Sequence, residues 1–292
     1  MTDISSLTDK TSELLEYYEN SQKNINDALI KVTHNDYRPI FNFYVDSNPS
    51  NSNASDVSND GLTSTSPFKT LQKVLDVISS HNSNIYTNSF ITIYLKQNQQ
   101  YFITNSVNLY HTRLRIQPFP DFNPTTQFKP TILNYNQSLN TPRDRLSVAS
   151  INLFNCHFYS KNIDYKTVYN LALESINPDL LNPVIYSNGG FSEFNNSKIE
   201  LNDGPCLRLD SSIHRDYLVE LTTTRPVEDV VNQDVKYIVS KGGLSYSPDA
   251  VTLSGGLSCP CFKWNRILPS SLNAWNSNNP IWNTYFNILE CN

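Results

Sequence analysis

Apolar and polar positions alternate with two different periods along this chain, and the change of period marks its parts. Near the start, Ile4, Leu7, Thr11, Leu14, Tyr18, Ser21, Ile25, Ala28 and Val32 recur at three- and four-residue spacing with no Pro or Gly between them, which predicts a helix with one apolar seam. Thr11 and Ser21 interrupt the seam, so residues 1–35 read either as a weak coiled coil or as a single amphipathic helix laid on a neighbour. From Phe41 the period becomes two, with Phe41, Phe43 and Val45 ending at Asp46. A polar loop then closes on Asn59-Asp60-Gly61. Ser66 and Pro67 suit an N-cap and a first helical position, and Phe68, Leu71, Val74, Leu75 and Ile78 form an apolar stripe, which predicts a helix over 67–80. Alternating strands follow as far as Pro118.

The stripe on 67–80 needs an open apolar edge to cover. The run FYVD, then NDG, then SPFKTLQ, resembles the N-terminal entry of pectate-lyase-like right-handed β-helix proteins, in which a helix caps the first coil. Such entries occur in bacteriophage tailspikes and extracellular polysaccharide enzymes. The resemblance covers about 80 residues, Phe41 to Pro118, within an entry region read as 36–118, and implies an all-β chain: a right-handed parallel β-helix (solenoid) with an N-terminal helical segment and a capping helix. The alternative is an antiparallel β-sandwich, whose hairpins also give short strands at close spacing.

Beyond the entry, Pro118, Pro120, Pro124, Pro130 and Pro142 make 119–147 read as an excursion. Residues 148–256 carry a loose repeat. Phe158 to Tyr165 aligns with Phe194 to Leu201, and the apolar-x-apolar ending recurs at Val219-Glu220-Leu221 and Val251-Thr252-Leu253. Gly pairs follow Asn188 and Lys241, where a turn needs positive φ. Residues 257–292 hold all three Trp of the chain and read as an aromatic C-terminal cap or contact surface.

Composition then narrows the chemistry. Charged residues are 17% and the net charge is −5, which gives no overall basic footprint for nucleic acid. The many Asn suit tight left-handed turns and stacked side-chain ladders. No apolar run reaches a membrane span, and the polar start MTDISSLTDK lacks the form of a signal peptide. Five Cys, only Cys259 and Cys261 close together, and five scattered His give no metal-ligand spacing, so neither metal nor cofactor is expected.

The candidate chemistry is carbohydrate. Asp164, Glu200 and Glu220 stand at matching repeat positions, where stacking would put them in one outward row; a polysaccharide hydrolase needs two such carboxylates. Asp203 and Asp210 are further acids near the Gly204-Pro205 turn. The bland reading is solvated surface charge. Trp264, Trp275 and Trp282, with Asn neighbours, suit stacking on sugar rings, or else the packing of a cap. The resemblance implies a virion tail protein without a signal peptide: a tailspike or tail-fibre component, homotrimeric through Ile4, Leu7, Leu14, Tyr18, Ile25, Ala28 and Val32. Through 1–35 it would attach to other tail or baseplate proteins, and it would bind host surface polysaccharide. A depolymerase of capsule or lipopolysaccharide, and a free bacterial β-helix lyase, hydrolase or adhesin, are the alternatives.

Overall fold

In a computed structural model, the described residues are 10–24, 39–80, 86, 88–134, 149–167, 183–201, 206–222, 238–240, 244–253 and 262–264. Residues 1–39 and 40–292 form separate compact units. In the first, residues 10–24 are helical (α1), with Leu14, Leu15, Tyr17 and Tyr18 exposed. Of the expected seam, Ile4, Leu7, Ile25, Ala28 and Val32 lie outside the described residues.

The second unit is built from sixteen described strands and one helix, α2 (Leu71–Ser80). Every described strand pairing is parallel. One sheet has ten strands. It includes β1 (Ile40–Val45), β2 (Phe90–Leu95), β3 (Gln100–Phe102), β5 (Arg113–Pro118), β6 (Thr131–Leu133), β8 (His157–Lys161) and β9 (Asp164–Lys166). It is completed by β11 (Phe191–Glu200), β13 (Ser212–Thr222) and β15 (Leu244–Leu253). The other sheet has six strands: β4 (Val107–Tyr110), β7 (Ile151–Phe154), β10 (Ile185–Asn188), β12 (Leu207–Asp210), β14 (Ile238–Ser240) and β16 (Phe262–Trp264).

This corrects the expected fold. The first half of β11 pairs with β8 and its second half with β9. The eight-strand path β1-β2-β5-β8-β11-β9-β6-β3 therefore curls back on itself as a half-barrel. β11 and β13 pass straight through their left-handed residues, Asn196 and Leu218. Faces that a right-handed β-helix would keep as separate sheets are thus joined into one curled parallel sheet, and parallel pairing does not by itself make a β-helix. The antiparallel sandwich fails too, because no described pair is antiparallel. Two further details differ from expectation. A strand, β6, forms within the Pro-rich stretch, beginning directly after Pro130. Helix α2 starts at Leu71 rather than at Pro67: Thr70 is its cap, with Oγ1 accepting from Lys73 N at 3.2 Å, and Asp56 binds Thr70 in turn through its N–H and hydroxyl. Phe68 instead bridges to Val45 in parallel.

Strand alternation sends one set of side chains inward from both sheets into a single core. One inward row runs Phe43, Ile93, Ile116, Ser160, Phe194, Asp216 across the curled sheet. Another runs Val107, Ile151, Ile185, Leu207, Ile238 across the six-stranded one. Helix α2 closes the entry with Leu71, Val74, Leu75 and Ile78 buried. Its Gln72 Oε1 accepts from the backbone N–H groups of Thr104 and Asn105 at 2.9 and 3.0 Å, which supplies partners to chain leaving β3.

The entry loop depends on Gly61. Its φ is +69° and its carbonyl accepts from Tyr44 N at 2.7 Å. A Cβ there would fall 2.2 Å from the Phe68 ring. Gly61→Ala should destabilise the fold by about 2–4 kcal/mol, from a left-handed backbone plus overpacking. Urea unfolding checks this; a midpoint equal to the parent's would show that Phe68 moves freely aside.

Candidate functional site

The outward face of the six-stranded sheet brings aromatic rings and hydrogen-bonding groups together. Parallel register places Asn108, Asn152, Tyr186 and Arg208 in one row, and Tyr110, Phe154, Asn188 and Asp210 in the next. The Tyr110 and Phe154 rings stack at 4.9 Å, and Tyr186 meets Phe154 edge-on at 5.8 Å. Tyr110 is 40% exposed. Around the rings, Asn152 Nδ2 donates to Asn108 Oδ1 at 2.8 Å, Tyr186 OH donates to Asp210 at 3.0 Å, and Asn188 Nδ2 donates to Tyr186 OH at 3.2 Å. Partial burial raises the Tyr186 phenol above its ordinary value and the Asp210 carboxylate adds to this, so the hydroxyl stays protonated and donating. The Arg208 guanidinium lies 5.9 Å from the Tyr186 ring. This is a row of rings packed on one another, with Tyr110 the most exposed, bordered by amides, a carboxylate and a guanidinium. Pyranoses offer the complement: an apolar ring face and a rim of hydroxyls.

The three acids singled out as a catalytic row are placed differently. Tyr165 pairs with Ile199, and Ile199 with Leu221, so the repeat is offset by two residues from the alignment read in the sequence. Lys198 stands opposite Glu220, and Lys166 opposite Glu200. The like-charge row is replaced by ion pairs: Lys166–Glu200 at 2.7 Å, Lys198–Glu220 at 3.5 Å and Lys129–Asp164 at 3.7 Å. Asp164 also accepts from Lys198 N at 2.8 Å. Such alternating charges hold neighbouring strands in register. Asp210 belongs to the aromatic face, while Asp203 lies outside the described residues. Of the tryptophans, Trp264 stands in register with Ser240 on β16, and Trp275 and Trp282 lie outside the described residues.

Two other polar clusters were not singled out in the sequence. At the ends of β1 and β2, Asp46, Asn98, Gln99, Lys96, Asp121 and Gln127 help line a cleft of about 720 Å³. Most of its groups serve one another: Asp46 accepts from Asn48 N, Asn51 Nδ2 and Gln99 Nε2, and Gln99 Oε1 accepts from Ser47 N. Inside the curled sheet, Ser192 Oγ meets His214 Nδ1 at 2.8 Å and His214 Nε2 meets Asp216 Oδ1 at 2.9 Å. The residue types are those of a nucleophilic triad, but all three are fully buried, so no substrate reaches the hydroxyl. They form a polar brace in the core. The signal for it was the His-x-Asp spacing on a strand, which sends both side chains to one face.

Among the described residues, no three His, Cys, Asp or Glu side chains gather to hold a metal ion, and no helix is long and apolar enough to cross a membrane. No family model, curated protein or solved structure matches the chain.

Asp164 gives a pH test of the ion-pair ladder. Burial raises its carboxyl above the ordinary value, against the pull of the Lys198 N–H and the Lys129 charge. A folded state that holds this proton more tightly than the unfolded chain gains stability at acid pH, and loses that contribution as pH rises through the folded-state value. Asp164→Asn keeps an oxygen for Lys198 N and removes the desolvated charge. The variant should unfold at higher urea than the parent at neutral pH, and the gap should close below about pH 3.9, the ordinary Asp value. A variant less stable at neutral pH would mean that the Lys129 pair outweighs the cost of burial.

Proposed function

We propose that this protein is a virion tail component of the spike or fibre kind, which holds host surface glycan on the outward face of its six-stranded sheet. The observation that carries the reading is the pair of rows on that face, where stacked Tyr110 and Phe154 and the edge-on Tyr186 lie among Asn108, Asn152, Asn188 and Asp210. Large rings on a solvent-facing sheet contribute little to a core and are suited to a ligand with flat apolar faces. The all-parallel register behind them makes the surface rigid, so little ordering is lost on binding.

Attachment and assembly belong to residues 1–35 in this reading. Leu14, Leu15, Tyr17 and Tyr18 are exposed on α1, and apolar side chains in solvent call for a partner. A homotrimer joined along this helix and anchored to other tail proteins fits that need. Cleavage is not part of the proposal, because Asp164, Glu200 and Glu220 each stand against a lysine and no observation pairs two of them across an open site.

The test is incubation of the purified protein with surface polysaccharides from candidate hosts, reading both binding and new reducing or unsaturated ends. Binding without fragments is expected. Replacing Tyr110 and Tyr186 together by Ala should weaken it about tenfold, from the loss of two aromatic contacts, with the circular-dichroism spectrum still that of the folded parent. Fragments would make the protein a depolymerase, and the absence of binding to every glycan would overturn the reading. Light scattering should give a trimer that dissociates when residues 1–35 are removed.

A further inference from the structure

The eight-strand path of the curled sheet ends at β1 on one side and at β3 on the other, and the two ends are finished differently. The outer edge of β1 is occupied by the entry loop: Tyr44 N donates to Gly61 O, Phe68 N to Tyr44 O and Asp46 N to Phe68 O. β3 pairs with β6 alone. Thr131 N donates to Gln99 O and Ile103 N to Leu133 O, so the odd-numbered positions of this stretch turn their backbone groups to β6. Gln100 and Phe102 turn theirs to the opposite edge, because successive strand residues alternate in hydrogen-bonding direction. No described strand pairs there; Ser47 Oγ reaches Gln100 O at 3.1 Å. Just beyond, Gln72 Oε1 accepts from Thr104 N and Asn105 N and stands in for the carbonyl of a neighbouring strand.

This edge opens into a groove of about 440 Å³ between β3 and the start of α2. Buried Leu71 and Tyr101 and half-buried Phe102 give it an apolar lining. Lys69 and Lys73 line it too, and both are half-buried. Neither ammonium has an ion-pair or hydrogen-bond partner among the described residues. The two carboxylates of the groove are engaged elsewhere. Asp56 accepts from Lys69 N, Thr70 N and Thr70 Oγ1 at 2.7, 3.0 and 2.7 Å, and Asp76 accepts from Gln72 Nε2 at 2.8 Å. The groove therefore combines the backbone groups of a strand edge, an apolar lining and two cations that no carboxylate meets.

We propose that this groove binds an extended acidic segment of a partner protein, which adds to β3 as a further strand. An added strand lies about 4.8 Å from its neighbour. It exchanges main-chain hydrogen bonds with Gln100 and Phe102, which supply affinity in strand addition, while the side-chain lining supplies specificity. Side chains alternate along such a segment, so an apolar residue meets the Leu71, Tyr101 and Phe102 lining and an acidic neighbour reaches Lys69 or Lys73. Charge selects the occupant. A carboxylate gives each half-buried ammonium the partner it lacks, whereas a basic segment sets like charges against each other. The site is separate from the aromatic face and does not rest on the glycan reading.

The experiment titrates the full-length protein into three short labelled peptides and reads fluorescence anisotropy: alternating Glu and Val, alternating Lys and Val, and the Glu–Val peptide with its backbone nitrogens methylated. The Glu–Val peptide should bind, weaken as salt is raised, and slow hydrogen exchange at the Gln100 and Phe102 amides. The other two should each bind at least about tenfold more weakly, one for want of charge-assisted hydrogen bonds and one for want of main-chain donors. Lys69→Gln with Lys73→Gln should cost the Glu–Val peptide about tenfold, with the circular-dichroism spectrum still that of the folded parent. Lys69→Arg with Lys73→Arg should keep the affinity, as should Tyr110→Ala with Tyr186→Ala. Equal binding of the Lys–Val or the methylated peptide would overturn the assignment, as would Glu–Val affinity that survives in the glutamine variant or protection that falls away from β3. If no peptide binds, the inference fails and the lysines only guard the edge against pairing. If Gln100 and Phe102 become protected without peptide as the protein is concentrated, the occupant is a second copy and the partner assignment fails.

Discussion

A single left-handed residue, repeated at one corner, governs how this chain is laid down. His111, Asn155, Gly189 and Ser211 each follow a strand of the six-stranded sheet and precede a strand of the curled one, with φ between 51° and 64°. The turn is so short that the backbone stays hydrogen-bonded through it: His111 N donates to Phe154 O, Asn155 N to Asn188 O, and Gly189 N to Asp210 O. Successive corners therefore stack, and stacking transmits register from layer to layer. The fit is tight enough that a Cβ on Gly190 would come 2.2 Å from Cys156 O. Asn and Gly tolerate this conformation at low cost, which is one physical reason for an Asn-rich chain. His111 and Ser211 adopt it as ordinary L-residues and are held there by the layers on either side.

Register transmitted in this way decides the core. Each inward row is a column of residues that must tolerate one another, and the columns change character along the stack. The curled sheet begins with Phe43, Ile93 and Ile116 and ends its described part with Phe194 and Asp216; the adjacent column ends with Ser192 and His214. The early layers are held by apolar burial beneath α2. The later ones carry hydrogen-bonded polar groups in the interior, and a buried His–Asp–Ser set stabilises only the arrangement that satisfies every member. The later layers gain specificity of register at some cost in hydrophobic stabilisation.

Much of the local structure was legible in the sequence, and the failures share a cause. The period-two strands, the helix over most of 67–80 and the left-handed Asn and Gly turns follow from pattern alone. The misalignment of the repeat does not. A slip of one residue would turn every side chain to the wrong face, and the burial pattern would expose it. A slip of two preserves the pattern, so Phe158 to Tyr165 aligned plausibly with Phe194 to Leu201 although Tyr165 pairs with Ile199. That shift of two converted a supposed column of acids into alternating Lys and Glu. The curl of the large sheet was illegible for a related reason: whether Asn196 ends a strand or bends one depends on the strands packed beside it, not on Asn196.

The aromatic face escaped for a different reason. Tyr110, Phe154 and Tyr186 lie on separate short strands, successively 44 and 32 residues apart in the chain, and each alone reads as an ordinary outward position. Only the stacked layers bring them together. The same holds for Arg113 and Arg115, which are two residues apart in sequence but lie beside the rings of Phe90 and Tyr159 only through the flanking strands. In an all-parallel stack the inward columns are constrained by packing and the corners by backbone conformation, which leaves outward positions free to vary in chemistry. The two sheets have used that freedom differently: rings with amides and a paired phenol on one, ring-packed guanidinium groups and lysine–acid pairs on the other. A polymer whose successive units repeat on the scale of the strand spacing can meet several such positions at once. Each contact is then modest, and affinity comes from their rigid and regular arrangement, which the left-handed corners impose.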